Sequence, residues 1–170
     1  MKKLYLIRHA KSSWDFETLP DRERPLAKRG HSQIRFLKKF IQKFEWRVDQ
    51  VLVSPSKRTE STYKIIHKGN PSLPDPVYRQ ELYETDWKEI LKLLQNEKEE
   101  NQSIAVVGHN PGLENLARFL LTSSDNLSLF SKFPTSSFLG LHFSKNSWAE
   151  LSAGTCQLEV FWIPGNLGKQ

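Results

Sequence analysis

Apolar residues in this chain alternate between short unbroken runs and stretches with helical spacing. Leu4, Tyr5, Leu6 and Ile7 form a run of the kind found in a parallel strand covered on both faces. Ile34, Leu37, Ile41 and Phe44 then recur at helical intervals between residues 31 and 44, with Phe40 on the same side. Val51, Leu52 and Val53 predict a second buried strand, followed by a helix that includes Thr62, Ile65 and Ile66. Trp87, Ile90, Leu91 and Leu94 mark another amphipathic helix. Residues 104–107 are a third buried strand, and Leu113, Leu116, Ala117, Leu120 and Leu121 a strongly periodic helix after it. Runs at 138–143 and 158–163 read as strands.

Strand and helix alternating in this way predict an α/β domain, with a mainly parallel central sheet and helices on both faces in three layers. Two stretches, 10–30 and 122–137, read as long loops, and loops of that length in a small domain tend to be functional. In the second, Phe130 and Phe133 could touch a substrate, although packing explains them more simply.

Length and composition narrow the class. The 170 residues suit one domain spanning 1–170, and 38% hydrophobic with 26% charged residues describe a globular protein rather than a disordered or fibrous one. The single cysteine, Cys156, excludes an internal disulfide framework and a multi-cysteine zinc site, and reads as a small buried apolar residue. No apolar run reaches the roughly 20 residues of a membrane helix. The N-terminus begins like a signal peptide, but its apolar stretch stops at Arg8. A cytoplasmic monomer without a membrane partner is the expectation.

The net charge of +6 is unevenly spread. Residues 1–68 hold 17 Lys and Arg against 7 Asp and Glu, whereas 69–102 hold 4 against 8. Such a surplus fits an anionic partner or a merely soluble surface. Arg35, Lys38, Lys39 and Lys43 fall opposite the apolar stripe of their helix and read as its solvated face. No nucleic-acid recognition motif or aromatic platform accompanies them, so no nucleic-acid partner is expected.

The chemistry lies at the strand ends. After 4–7 come Arg8 and His9, after 51–53 Ser54-Pro55-Ser56-Lys57-Arg58, and after 104–107 Gly108-His109-Asn110-Pro111-Gly112. Ligands of open parallel sheets bind outside the carboxyl ends of the strands, where two arginines and two histidines would converge. Ser54-Pro55 and Asn110-Pro111 each read as an N-cap followed by a first helical proline, and a helix N-terminus favours phosphate. Two guanidinium forks can hold phosphoryl oxygens, and a neutral imidazole can attack phosphorus in line to give a phosphohistidine. Positioning and charge neutralisation then suffice, and no cofactor is required. His9 and His109 could also be metal ligands, but adjacent arginines disfavour a cation.

The motif Arg8-His9-Ala10-Lys11-Ser12-Ser13-Trp14-Asp15 resembles the histidine phosphatase superfamily, also called phosphoglycerate mutase-like, and within it the small SixA-type phosphohistidine phosphatase branch. Three further matches follow in order: Arg24-Pro25-Leu26-Ala27-Lys28-Arg29-Gly30, Ser54-Pro55-Ser56-Lys57-Arg58-Thr59, and Val107-Gly108-His109-Asn110-Pro111-Gly112-Leu113-Glu114. The resemblance implies a phosphoglycerate mutase-like fold, His9 as nucleophile, and Arg8, Arg58 and His109 around the phosphoryl group. Ser12 would add a contact, unless it serves only as a turn cap.

Many relatives use a carboxylic acid to protonate the leaving oxygen. Here Glu81 is the first candidate and Glu84 the second, although cleavage of a P–N bond needs no dedicated acid. The long insertions of the mutases are missing. The expectation is therefore a phosphatase acting on a phosphohistidine protein. A small-molecule phosphomonoesterase and a non-catalytic phosphoprotein-binding module are the alternatives.

Overall fold

A computed structural model of the protein describes residues 1–121 and 132–165. Its six strands are β1 (Lys2–Arg8), β2 (Gln50–Val53), β3 (Pro76–Tyr78), β4 (Ser103–Gly108), β5 (Phe138–Phe143) and β6 (Cys156–Trp162). They form one sheet in the order β3-β2-β4-β1-β5-β6. The four strands from β3 to β1 are parallel, while β5 runs antiparallel to β1 and β6 antiparallel to β5. The sheet is thus mixed, mainly parallel with an antiparallel edge.

Among the described residues four α-helices cover it: α1 (Lys28–Phe44), α2 (Lys57–Gly69), α3 (Trp87–Gln95) and α4 (Gly112–Leu120). Side chains alternate across each strand, and this sorts the core in two. Tyr5, Ile7, Val51, Val53, Ala105 and Val107 pack with Ile34, Leu37 and Ile41 of α1 and Ile66 of α2. Leu4, Leu6, Leu52, Ile104 and Val106 pack on the other face with Ile90 and Leu94 of α3 and Leu113, Leu116 and Leu120 of α4. Burial of both faces is why these strands read as unbroken apolar runs. The result is the expected three-layer α/β architecture.

Several local readings need correction. Strand β3 has no apolar run because it is a short edge strand with Val77 and Tyr78 exposed. The N-cap of α2 is Ser56, not Ser54: Ser56 Oγ accepts from the backbone N–H of Thr59, and Thr59 reciprocates to the Ser56 backbone. Likewise α4 begins at Gly112, with Pro111 rather than Asn110 before it. Lys2 is no surface charge. It is 1% exposed, and its ammonium donates to the carbonyls of Glu99 and Asn101 beside the Glu99 carboxylate.

Other readings agree with the structure. Cys156 lies in the core, where burial pushes its thiol up to about 12. Phe133 is buried and stacks on Phe161, whereas Phe130 and the rest of 122–131 lie outside the described residues. Arg35, Lys39 and Lys43 occupy the exposed face of α1, whereas Lys38 is half-buried with its side chain against Gly69 of α2. No described helix is long and apolar enough to cross a membrane.

Candidate active site

In the sheet β4 lies between β2 and β1, so the three strand ends flagged by the sequence are adjacent. Register sets them level, with Arg8 opposite Gly108 and Val53 opposite Val107. The ladder runs one step further on each side: the His9 N–H donates to Gly108 O at 3.1 Å and the Ser54 N–H to Val107 O at 3.0 Å. Backbone pairing therefore delivers Arg8, His9, Ser54 and His109 to one place.

His9 is 8% exposed, and its Nδ1 lies 2.7 Å from the Ala10 carbonyl oxygen. A carbonyl can only accept, so Nδ1 carries the hydrogen and Nε2 keeps its lone pair. Burial pushes the imidazole down to about 3 against the help of that carbonyl, and His109, Arg58 and Arg8 push the same way as burial. His9 is thus neutral near pH 7, the state in which Nε2 is nucleophilic.

The His109 ring stands 5.2 Å from that of His9, centroid to centroid. Its Nε2 shares a hydrogen bond of 2.7 Å with Ser54 Oγ, and the edge of Tyr83 packs against it at 5.7 Å. Burial, followed by Arg58, brings His109 down to about 4. Among the described residues Nδ1 of His109 has no protein partner, and neither has Nε2 of His9.

The two arginines are held by different means. Arg8 Nη1 donates to Phe133 O at 2.8 Å, and its buried Nε has no partner among the described residues. Asn110 Nδ2 also donates to Phe133 O, at 3.0 Å, and so ties the β4–α4 turn to the same carbonyl. Arg58, the second residue of α2, is 7% exposed. It donates from Nη1 to Asp21 O at 2.8 Å and from Nη2 to Asp21 Oδ2 at 3.0 Å.

Asp21 organises the loop after His9. Its carboxylate also accepts from Tyr83 Oη at 2.8 Å and from Arg24 Nη1 at 3.1 Å. Partial burial alone would raise its carboxyl, yet hydrogen bonds from Tyr83 and Arg58 carry it down to about 2. Asp21, Ser54 and Tyr83 are the participants that the sequence reading missed. Ser54 stands where a helix cap is expected, Asp21 lies in a stretch without periodicity, and Tyr83 sits between two carboxylates that are the more obvious candidates.

Two expectations fare differently. Ser12 is buried, and its hydroxyl accepts from Arg24 Nη2 at 2.8 Å, which makes it part of the loop scaffold. Glu81 is turned to Arg79 at 3.3 Å with its side chain 52% exposed, and it makes no contact with Arg8, His9, Arg58 or His109. Hydrogen bonds to its own backbone and to Arg79 lower its carboxyl, the opposite of what a general acid requires. Glu84 is exposed, on a left-handed backbone with φ 50°.

A buried guanidinium, that of Arg58, and a half-buried one, that of Arg8, beside two neutral imidazoles can take up a phosphoryl dianion and offer it a nucleophile. Among the described residues no group of three or more His, Cys, Asp and Glu is arranged to hold a metal ion.

Comparison with known proteins agrees. The sequence pattern of the histidine phosphatase superfamily (branch 1) matches residues 4–112. A proposed phosphohistidine phosphatase SixA of Agrobacterium tumefaciens is similar in structure, with a TM-score of 0.82, 27% identity, and coverage of 96% of this chain and 98% of that one. The protein histidine phosphatase SixA complexed with tungstate shares the fold, with a TM-score of 0.78, 22% identity, and coverage of 97% and 99%. An uncharacterised Mycobacterium leprae protein is 27% identical over 166 residues, which cover 93% of this chain and 99% of the relative.

Proposed function

Because the chain belongs to the histidine phosphatase superfamily, branch 1, we propose that it is a phosphatase working through phospho-His9, with a phosphohistidine protein as its substrate. One observation carries this reading. The Nδ1–Ala10 bond leaves Nε2 of a neutral His9 as the free nucleophile, beside Arg8, Arg58 and His109.

In the first step His9 Nε2 bonds to phosphorus as the bond to the leaving nitrogen breaks, and the departing imidazole takes its proton from solvent. Remaining N–H groups of Arg8 and Arg58 hold the equatorial oxygens, whose charge they neutralise. His109, oriented by Ser54, donates to one of them. Water then attacks phospho-His9, which releases inorganic phosphate and restores the neutral ring.

The placement of Glu81 supports P–N over P–O cleavage, since an imidazole leaves without a carboxylic acid whereas an alkoxide needs one. Similarity to the Agrobacterium SixA protein supports the same choice.

The test is rapid-quench labelling with a radiolabelled phosphohistidine peptide. Acid-labile label on wild-type protein, absent from His9→Ala, is the expected result. Stable binding of the peptide without label would reduce the protein to a phosphoprotein-binding module. Faster turnover of phosphate esters than of phosphohistidine would make it a phosphomonoesterase.

A further inference from the structure

The loop between His9 and α1 is clamped at both ends beside the pocket. At one end the Ser13 N–H donates to Pro25 O at 2.8 Å, Arg24 Nε donates to Ser13 O at 3.0 Å, and Ser12 bridges Leu26. At the other end Asp21 holds Arg58. The residues between these clamps include large apolar side chains that water does not favour. Trp14 is 70% exposed, Phe16 52% and Leu19 38%. Trp14 lies on the Arg24 guanidinium, 3.2 Å from its ring centroid, so the indole is held in place while most of its surface faces water.

Neither core cluster includes these three side chains. Single exposed apolar residues are ordinary, but three large ones within six positions on a braced loop form a patch. Charge gives the patch no preference of its own, because Asp15 and Glu17 stand against Lys11 and Arg24.

We propose that Trp14, Phe16 and Leu19 form a docking surface for the protein substrate, which selects a phosphohistidine ringed by apolar side chains. The proposal rests on the phosphatase reading and adds to it the character of the substrate's surroundings. Continuity is the ground for this occupant. Asp21 joins the loop directly to Arg58, so a protein whose phosphoryl group reaches Arg58 lays its neighbouring surface on the patch. A small phosphate ester has no such surface to offer.

Two phosphohistidine peptides of equal length and charge test this, one flanked by Leu and Phe and one by Gly and Ser, with p-nitrophenyl phosphate as a third substrate. Wild-type protein is expected to favour the apolar peptide about tenfold in kcat/KM, the effect of partly burying one or two large side chains. Phe16→Ser/Leu19→Ser, which leaves the Trp14–Arg24 contact intact, and the triple variant with Trp14→Ser should lose that preference. Both should still turn over the Gly/Ser peptide and the ester.

Equal use of the two peptides by the wild type, or a preference that survives in the variants, overturns the docking surface while leaving the phosphatase reading intact. Equal losses on all three substrates overturn it too, by making the loop merely structural. A wild-type dimer that the triple variant dissociates assigns the patch to self-association instead. Turnover of neither peptide removes the phosphohistidine reading, and this proposal with it.

Discussion

Acid should destabilise this protein through His9 before its carboxylates titrate. In the unfolded chain an imidazole takes up its proton near pH 6.5, whereas His9 in the fold holds out to about 3, first because of burial and then because of its cationic neighbours. The folded value is the lower one. The contribution to stability is therefore complete above about pH 6.5 and drains away as the pH falls towards about 3. At pH 5 the solution is about 1.5 units below the unfolded value, which at 1.36 kcal/mol per unit costs about 2 kcal/mol.

His109, brought down to about 4, acts in the same direction. Asp21 stays out of this window, because its carboxyl at about 2 keeps its contribution until the pH falls below the ordinary carboxylate range. Against a typical domain stability of about 5–15 kcal/mol the loss is readily measured. Urea unfolding at pH 7.5, 6 and 5 should be compared between wild type and His9→Asn, whose amide can still donate to the Ala10 carbonyl. The variant should lose about 2 kcal/mol less over this interval. Parallel stability curves for the two proteins would refute the reasoning.

Further consequences concern single side chains. Arg58→Lys should lower kcat/KM for p-nitrophenyl phosphate about 100-fold, because an ammonium lacks the fork that spans Asp21 and a phosphoryl oxygen; unchanged circular dichroism would show that the fold persists. Ser54→Ala should lower kcat about tenfold by releasing His109, while its backbone bond to Val107 maintains the strand end. Glu81→Gln should leave turnover nearly unchanged, and a loss of about 100-fold, typical of removing a general acid, would return Glu81 to the mechanism. Gly30→Ala places a Cβ 2.1 Å from the Lys11 carbonyl oxygen, so urea unfolding should show a loss of about 1–3 kcal/mol.

Legibility followed locality. β1, β2 and β4 were readable because strands covered on both faces must be apolar throughout. β3 was not, because one half-buried and two exposed residues at a sheet edge carry no periodic signal. The start of α2 is ambiguous in sequence because two serines two positions apart can each cap a helix, and the reciprocal bond with Thr59 decides for Ser56. That choice leaves Ser54 to hold His109, fifty-five residues away.

By itself the sequence determined the order of the helices and of every strand but β3, the apolar stripes that bury the sheet, and the arrival of Arg8, His9 and His109 at strand ends with Arg58 in the first turn of the helix that follows one. All of these depend on local periodicity or on neighbours in the chain. Only the tertiary structure decided which nitrogen of His9 is free, that Asp21 anchors Arg58, that Glu81 turns towards Arg79, and that Trp14, Phe16 and Leu19 stay exposed on the loop that Asp21 ties to Arg58. Hydrogen-bond partners, burial and the protonation they impose depend on groups far apart in the chain, and the packed fold alone brings those groups together.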